Sequence, residues 1–459
     1  MNFYDTIAAL SSPSGKGGVA VIRISGAEAF DVAQKVFFAA SGKPFEQIKP
    51  NVMTYGSIAS CGRVIDDGLC VKFAAPRSFT GEDTVELNCH GGILITQKVL
   101  SAVFAAGARP AQAGEFTRRA FVNGKMGLTQ AEALGTLLDA KSDGQISLAR
   151  SVMGGRLTEA CKQIYSDLTA LVASVYAVVD YPEEDLADMT SAEMIESACG
   201  VISRVDALLS TYKTGHAVME GVKTVIIGKP NVGKSSLYNR LVGYDAAIVT
   251  DIEGTTRDLL TETVSLGRVT LRLCDTAGLR DSADTVERIG VDRARSSIKE
   301  AELILAVFDG SRPLDGDDLE IIKDILGERA TKIAVINKND EQQMISEQEI
   351  EKYFSHTVKI SARNEYNIDV LRSIIEELYI NEDIDTASDP ILINARQNAA
   401  LERTREHLLL AVEALRSGLS PDLAGVDVEL AMSAVAELDG REVGEDVVAQ
   451  IFSHFCVGK

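Results

Sequence analysis

Gly228-Lys229-Pro230-Asn231-Val232-Gly233-Lys234-Ser235 follows the apolar run 225–227 and precedes a helical pattern over residues 235–241. A strand, a glycine-rich loop and a helix in this order predict a P-loop, which binds phosphate through its backbone N–H groups. We expect Lys234 to reach the terminal phosphates and the Ser235 hydroxyl to hold Mg²⁺. The alternative is a glycine-rich turn with an exposed lysine. The flanking strand and helix favour the phosphate site.

Three further segments complete a nucleotide site in chain order. An alternating strand ends in Asp275, which is placed to hold Mg²⁺ through water, and Thr276-Ala277-Gly278 follows. Asn337-Lys338-Asn339-Asp340 follows another apolar strand. The Asp340 carboxylate can accept two hydrogen bonds from guanine, whereas adenine lacks that pair of donors. Ser361-Ala362-Arg363 would close over the base. An Asn/Asp turn explains the second run taken alone, but four elements in this order predict GTP.

These elements resemble the Ras-like GTPase fold, in its translation-factor-related branch. Leu279 stands where many relatives carry a water-orienting Gln, so the catalytic group must come from elsewhere. Thr256, in the polar loop 250–258, is the expected second Mg²⁺ ligand. The Asn231 amide oxygen can hold a monovalent cation against the phosphates, where it would neutralise charge in the transition state. The alternative for Asn231 is a residue that stabilises the turn.

Composition limits the other classes of function. A chain of 459 residues predicts about two to four domains. The net charge of −21 argues against a protein whose whole surface clamps nucleic acid. Seven cysteines without a C-x-x-C pair argue against zinc ribbons and disulfide frameworks, and fit the reduced cytoplasm. We find neither a signal-peptide pattern nor an apolar run long enough to span a bilayer.

Patterning along the chain predicts a multidomain α/β and α protein. Residues 1–122 read as an N-terminal α+β domain with short strands, and residues 123–216 as the first half of a helical domain. Residues 217–382 are the expected Ras-like P-loop GTPase domain, and helical spacing returns over 383–459. The GTPase domain would therefore be inserted into a helical domain, with residues 381–390 as a polar linker.

Three stretches outside the GTPase pattern are unusually specific. They are Ser78-Phe79-Thr80-Gly81-Glu82-Asp83 with Glu86 and His90 after it, Gly114-Glu115-Phe116-Thr117-Arg118-Arg119-Ala120-Phe121 with Asn123-Gly124-Lys125 after it, and the final Phe455-Cys456-Val457-Gly458-Lys459. With the inserted GTPase, they resemble the MnmE (TrmE) family of tRNA modification GTPases over essentially the whole chain. Two small departures are Val457, where Ile is common, and Gly127, where Asp is expected.

The resemblance implies a fold and a function. The N-terminal domain is expected to be folate-binding-like and to form a homodimer. The family works with an FAD-dependent partner, MnmG, and places a (carboxymethyl)aminomethyl group on C5 of the wobble uridine of certain tRNAs. A tetrahydrofolate derivative, either 5-formyl- or methylene-tetrahydrofolate, supplies the one-carbon unit, and GTP hydrolysis is required. The cofactors implied are Mg²⁺ and K⁺, and the expected location is the cytoplasm.

The resemblance also assigns residues. The GTP-binding set is Asn231, Val232, Gly233, Lys234, Ser235, Ser236, Thr250, Asp251, Ile252, Glu253, Gly254, Thr255, Thr256, Asp275, Thr276, Ala277, Gly278, Asn337, Lys338, Asp340, Ser361 and Ala362. The potassium ligands implied are Asn231, Thr250, the Ile252 carbonyl and Thr255, and the folate-pocket residues implied are Arg23, Glu86, Lys125 and Lys459. Glu287 is implied to orient the attacking water, and Cys456 to take part in the modification chemistry.

Plainer interpretations of these residues stay open. Arg23 and Lys125 read as ordinary surface charges without the family, and Glu287 as a solvated helix acid. Cys456 is either a small core hydrophobe in an apolar helix or a thiolate stabilised by a nearby cation. We expect His90 to be structural, because the two glycines after it indicate a tight turn.

Two rival functions are compatible with the sequence. The first is a regulatory or ribosome-assembly GTPase switch without one-carbon chemistry. Such proteins usually carry an added basic RNA-binding module, and the sequence shows none. The second is a folate-dependent methyl or formyl transferase whose GTPase domain is incidental.

Overall fold

A computed structural model describes residues 5–180, 190–244, 261–274, 297–418, 421–442, 444–453 and 455–458. The chain divides into two compact units. The N-terminal unit comprises residues 1–135 and 435–459, and the central unit comprises residues 136–434. Across the described ranges, no helix combines the length and the apolar character needed to cross a membrane. The predicted boundaries at 122, 216 and 382 stay predictions.

The N-terminal unit is built on a seven-stranded sheet within its described residues. Its strands are β1 (Ile7–Leu10), β2 (Val19–Ser25), β3 (Phe37–Ala39), β4 (Thr54–Ser60), β5 (Arg63–Phe73), β6 (Thr84–His90) and β7 (Arg109–Pro110), in the order β3-β4-β5-β6-β2-β1-β7. Neighbouring strands run antiparallel, except that β1 and β7 run parallel to each other. Apolar side chains of the helices Ala29–Val36 and Ile93–Ala105 share one core with the strands. The predicted α+β character of this part is confirmed.

The C-terminal residues complete the N-terminal unit. Its remaining helices are Glu115–Val122, the start of Leu128–Asp139, and Glu445–Ser453. Leu128 and Ala131 form a buried cluster with Val448, Phe452 and Phe455. The last helix of the chain therefore packs against residues 121–134 and supplies part of the core of the N-terminal unit.

The central unit contains the predicted Ras-like sheet. Its strands are β8 (Val222–Ile227), β9 (Thr261–Leu266), β10 (Val269–Cys274), β11 (Leu303–Asp309), β12 (Thr331–Asn337) and β13 (His356–Lys359), in the order β13-β12-β11-β8-β10-β9. All neighbours are parallel except β9 and β10. Every residue of β11 is buried, as expected for a central parallel strand covered on both faces. The helices of this part are Lys234–Tyr244, Gly316–Leu326, Glu347–Ile350 and Ile368–Tyr379.

Long helices make up the rest of the central unit. They are Asp143–Met153, Arg156–Asp180, Ser191–Met219, Ala395–Arg416 and the part of Pro421–Asp439 before residue 435. The helix Ser191–Met219 begins at a capping box formed by Thr190 and Glu193, which satisfies backbone donors at its start. Residues 381–390, predicted as a polar linker, contain hydrogen-bonded turns centred on Asp385.

Candidate nucleotide site and the cluster around Arg23

The P-loop takes the shape that its glycines allow. β8 ends at Ile227, and the next helix begins at Lys234. Gly228 has φ +148°, Asn231 has φ +66° and Gly233 has φ +100°. A Cβ at Gly233 would overlap the Asn337 Nδ2 atom, so the loop needs glycine there for both space and backbone angle. The predicted strand, loop and helix are confirmed.

Lys234 holds this loop in its curved form. Its Nζ atom donates hydrogen bonds to the carbonyl oxygens of Gly228 at 2.8 Å and Lys229 at 2.7 Å. Burial lowers the pKa of the Lys234 ammonium. The lysine therefore lies inside the loop, at the position from which it can contact a bound phosphate.

Asn337 connects the phosphate loop to the base loop. Its Nδ2 donates to the Val232 carbonyl at 2.9 Å, and its Oδ1 accepts from the Ala362 N–H at 3.0 Å. The side chain is almost fully buried. The asparagine therefore fixes the two loops relative to each other, which a solvated turn residue would not do.

Asp340 presents a charged acceptor at the mouth of the site. The Ser361 hydroxyl donates to Asp340 Oδ1 at 2.6 Å, and this hydrogen bond lowers the pKa of the Asp340 carboxyl. The neighbouring Lys338 Nζ pairs with Asp309 Oδ2 at 2.7 Å. Asp340 thus stays ionised and faces outward, as an acceptor of two N–H donors must.

These loops surround one cavity of about 540 Å³. It is lined by Asn231, Gly233, Ser236, Asn239, Arg240, Asn337, Lys338, Asp340, Glu341, Ala362 and Arg363. Seven of these residues belong to the GTP-binding set predicted from the sequence. The other four, Asn239, Arg240, Glu341 and Arg363, are not in that set. The sequence contained a signal for Arg240, because it lies one helical turn after Ser236 and therefore on the same face of the helix.

Part of the predicted site lies outside the described residues. This part comprises the loop residues Thr250, Asp251, Ile252, Glu253, Gly254, Thr255 and Thr256, the segment Asp275, Thr276, Ala277 and Gly278 with Leu279 after it, Glu287 in the following stretch, and the C-terminal Lys459. Their roles stay predictions. The described P-loop, Asn337, Asp340 and Ser361 come together as predicted.

In the N-terminal unit, Arg23 and Glu86 face each other across β2 and β6. Arg23 Nη2 lies 2.9 Å from Glu86 Oε1. The Arg23 guanidinium carbon also lies 5.4 Å from the ring centre of Phe79 and 5.7 Å from that of Phe116. The Arg23 side chain is only 18% exposed, so its interpretation as an ordinary surface charge is wrong. Two aromatic rings and a carboxylate hold the guanidinium in place.

Lys125 contacts the segment before Phe79, and the C-terminal tail contacts the segment before Phe116. Lys125 Nζ donates to the Pro76 carbonyl at 2.9 Å, three residues before Phe79. The Gly114 N–H donates to the Cys456 carbonyl at 3.4 Å, two residues before Phe116. Cys456 is exposed and lies beyond the last helix, so its interpretation as a buried helix residue is wrong. The thiol is therefore accessible to a reagent or ligand.

His90 lies at the end of β6. Its Nδ1 is 2.8 Å from Asp66 Oδ1, and its backbone N–H donates to Asp66 Oδ2 at 2.7 Å. These bonds join the end of β6 to β5, which fits a structural residue.

The sequence of this chain is similar to known proteins over both of these regions. Family profiles described as "MnmE helical domain" and "GTP-binding protein TrmE N-terminus" match residues 128–456 and 6–125. The tRNA modification GTPase MnmE of Clostridioides difficile (strain 630) is 38% identical over 457 residues, which is 99% of each chain. The chain belongs to the MnmE family of tRNA modification GTPases. The MnmE protein of Lactococcus lactis subsp. cremoris (strain SK11) is 39% identical, again over 99% of each chain.

A solved structure shows a more limited similarity. A point variant of Era from Aquifex aeolicus, bound to GDP.AlF4-, is 28% identical, with a TM-score of 0.28, over 41% of this chain and 66% of that one. The family assignment does not depend on it. As a member of the MnmE family the chain is a GTP hydrolase. Its substrate is GTP and its cofactor is Mg²⁺.

Proposed function

We propose that this chain is a potassium-activated GTP hydrolase that acts on tRNA together with an FAD-dependent MnmG partner. The pair adds a (carboxymethyl)aminomethyl group at C5 of the wobble uridine, with a tetrahydrofolate derivative as the one-carbon donor. The observation that carries the proposal is the full-length similarity to curated tRNA modification GTPases. The arrangement of Asp340, Asn337 and the P-loop around one cavity supports its GTP-binding part.

Within this site each residue has a proposed role. Lys234 contacts the terminal phosphates, and Ser235 and Thr256 bind Mg²⁺. Asp340 accepts the guanine N–H donors, and its low pKa supports that role because the carboxylate stays ionised. Glu287 orients the attacking water, since Leu279 has no group that can do so.

Potassium is proposed to bind beside Asn231, together with Thr250, the Ile252 carbonyl and Thr255. The Asn231 side chain is exposed at the cavity, and its left-handed backbone also suits a turn residue. Equal-ionic-strength assays in KCl and NaCl separate these roles. We expect GTP turnover to be at least about tenfold faster in KCl, because the cation neutralises transition-state charge. Asn231→Ala should remove the difference while GDP binding persists, whereas equal wild-type rates in both salts would refute the cation role.

The folate pocket is proposed around Arg23, Glu86, Lys125 and Lys459. A folate has a glutamate tail that needs cations and a pterin with N–H donors that needs a carboxylate. Arg23 and Glu86 supply one of each, beside the rings of Phe79 and Phe116, which can stack against a pterin. The exposed thiol of Cys456 belongs to the tail whose backbone bonds to Gly114, two residues before Phe116, which supports a part in the modification chemistry.

Calorimetric titration with 5-formyltetrahydrofolate tests this pocket. We expect the wild-type protein to bind, and Arg23→Gln to weaken binding at least about tenfold, because a charge-assisted contact is lost. Arg63→Gln, at an exposed position of β5 in the same unit, is the matched control and should bind like the wild type. No binding by the wild type would contradict the folate assignment and favour the regulatory GTPase switch.

A homodimer is proposed through the N-terminal unit. Val19, Ile93 and Leu94 are each at least 60% exposed. Val19 pairs with His90, and Gly17 bonds to Gly91, so these apolar side chains lie at the same end of the sheet. An exposed apolar patch of this kind supports contact with a second copy.

The remaining rival is a folate-dependent transferase with an incidental GTPase domain. Analysis of wobble uridines in tRNA from cells lacking this protein distinguishes the two. We expect the C5 modification to be lost. Normally modified uridines would overturn the proposed function and leave the transferase as the better interpretation.

A further inference from the structure

Arg240 projects from a helix that is firmly packed against the GTPase sheet. The helix Lys234–Tyr244 begins at the P-loop lysine, and its side chains Leu237 and Leu241 are completely buried. Arg240 lies between these two anchors in sequence, and its side chain lines the nucleotide cavity. The guanidinium is therefore held on the same rigid element that starts at the phosphate end of the site.

The guanidinium contacts three residues of the base loop. Arg240 Nε donates to the Ala362 carbonyl at 3.0 Å, and Nη2 donates to the Arg363 carbonyl at 3.1 Å. Nη1 pairs with the Glu365 carboxylate. The guanidinium spreads its donors over three nitrogens in a rigid plane and so reaches three acceptors at different positions, whereas a lysine ammonium carries all its donors on one nitrogen.

The loop that Arg240 contacts is itself a closed turn. Ser361 and Tyr366 exchange two backbone hydrogen bonds of 3.1 Å, and Glu365 adopts φ +59°. The same turn supplies the Ser361 hydroxyl to Asp340 and the Ala362 N–H to Asn337. A shift of this turn would therefore move the groups that orient the guanine acceptor.

We propose that Arg240 is a positioning residue that sets the base loop and thereby contributes to guanine affinity. This inference rests on the proposed GTP site. The physical reason is that Arg240 connects the helix at the phosphate end to the loop at the base end, which fixes the distance between the two halves of the cavity. Substitution of Arg240 should therefore weaken binding of the base more than binding of the phosphates.

The test compares two probes on Arg240→Lys, which keeps the positive charge but not the donor fork. In fluorescence titrations with labelled GDP, we expect the Kd to rise about tenfold, because two charge-assisted hydrogen bonds to carbonyls are lost. Inorganic tripolyphosphate, used as a competitor, should retain its wild-type affinity within about twofold. The KM for GTP should rise by a larger factor than kcat falls.

Two companion variants make the result interpretable. Arg416→Lys, at an exposed helix end elsewhere in the central unit, is the matched control and should leave GDP binding unchanged. Glu365→Gln removes the ion pair but keeps both carbonyl contacts, so we expect a smaller loss of GDP affinity than for Arg240→Lys.

Either of two outcomes would overturn the inference. One is a GDP Kd for Arg240→Lys within about twofold of the wild type, and the other is an equal loss for GDP and tripolyphosphate. A wild-type protein that binds ADP as tightly as GDP would instead contradict the proposed GTP site. The two failures are therefore distinguishable.

Discussion

Single side chains join segments of this chain that are far apart in sequence. His216 is one example, at the end of the helix Ser191–Met219. Its Nε2 lies 2.8 Å from Glu302 Oε1, and its Nδ1 lies 3.0 Å from Glu220 Oε2. The other oxygen of Glu302 accepts from the Lys223 N–H at the start of β8, at 2.9 Å. This cluster therefore fastens the last long helix before the GTPase sheet to two of its strands.

The cluster predicts a pH dependence of stability. Burial alone would lower the pKa of His216, but the hydrogen bonds and charges of Glu220 and Glu302 outweigh it and raise the pKa to about 9. A folded-state pKa above the unfolded value means that the stabilisation is complete below about pH 6.5 and is lost as the pH rises through about 9. In urea unfolding at about pH 6, the free energy of unfolding of the wild type should exceed that of His216→Gln by about 3 kcal/mol, since each unit of pKa difference corresponds to about 1.4 kcal/mol. The difference should vanish near pH 10, and one that does not change with pH would contradict the assignment.

At the scale of elements, the C-terminal tail is held by backbone contacts on both sides. Val457 forms an antiparallel bridge with Ala113, and the Ser11 hydroxyl donates to the Gly458 carbonyl at 3.0 Å. Gly458 has φ +105°, and a Cβ there would overlap the Leu10 carbonyl oxygen. The tail position thus depends on a glycine at this residue.

Gly458→Ala should therefore release the tail. We expect a cost of about 1–3 kcal/mol in the docked state, because the new methyl group meets both a backbone clash and an unfavourable φ. Hydrogen exchange measured by mass spectrometry should show faster exchange at the Gly114 amide, which donates to the Cys456 carbonyl. Gly444→Ala is the control, since nothing lies within 4 Å of its added Cβ. Unchanged exchange in Gly458→Ala would argue that the tail is held elsewhere.

At the scale of the whole molecule, chain segments before and after the GTPase sheet meet within the central unit. The Thr214 hydroxyl donates to the Tyr379 carbonyl at 3.2 Å and accepts from the Asn381 N–H at 3.0 Å. The Leu392 N–H donates to the Thr211 hydroxyl at 3.1 Å. These contacts bring the ends of the intervening segment close together, as an inserted domain requires.

Gly215 allows the helix Ser191–Met219 to approach the backbone at Leu392 closely. Gly200, on the same helix, provides a matched control. A Cβ at Gly215 would overlap the Leu392 carbonyl oxygen, whereas one at the exposed Gly200 would have no atom within 4 Å. We expect Gly215→Ala to destabilise the protein by about 1–3 kcal/mol through overpacking. Gly200→Ala should stabilise it by about 0.5–1 kcal/mol through helix propensity. Calorimetry of both variants checks this, and equal melting temperatures would contradict the role of the close contact.

Much of the fold and seven of the eleven residues that line the nucleotide cavity were predictable from local patterns. Short apolar and alternating runs predicted some of the strands in both sheets, helical spacing predicted the long helices, and the spacing from Gly228 to Ser235 predicted the loop geometry. The chemistry of the Asp340 carboxylate predicted a guanine contact, which stays a prediction. These features depend on residues near one another in the chain, where backbone preference and side-chain period act directly.

Other features depended on contacts between distant segments. The pairing of Arg23 with Glu86 follows from the register of β2 with β6, and the role inferred for Arg240 follows from a loop more than 120 residues later. The exposure of Cys456 and the closure at Gly215 likewise arise from packing. Sequence spacing specifies local conformation, whereas strand register and close packing between distant elements select which side chains meet, and these are properties of the folded chain.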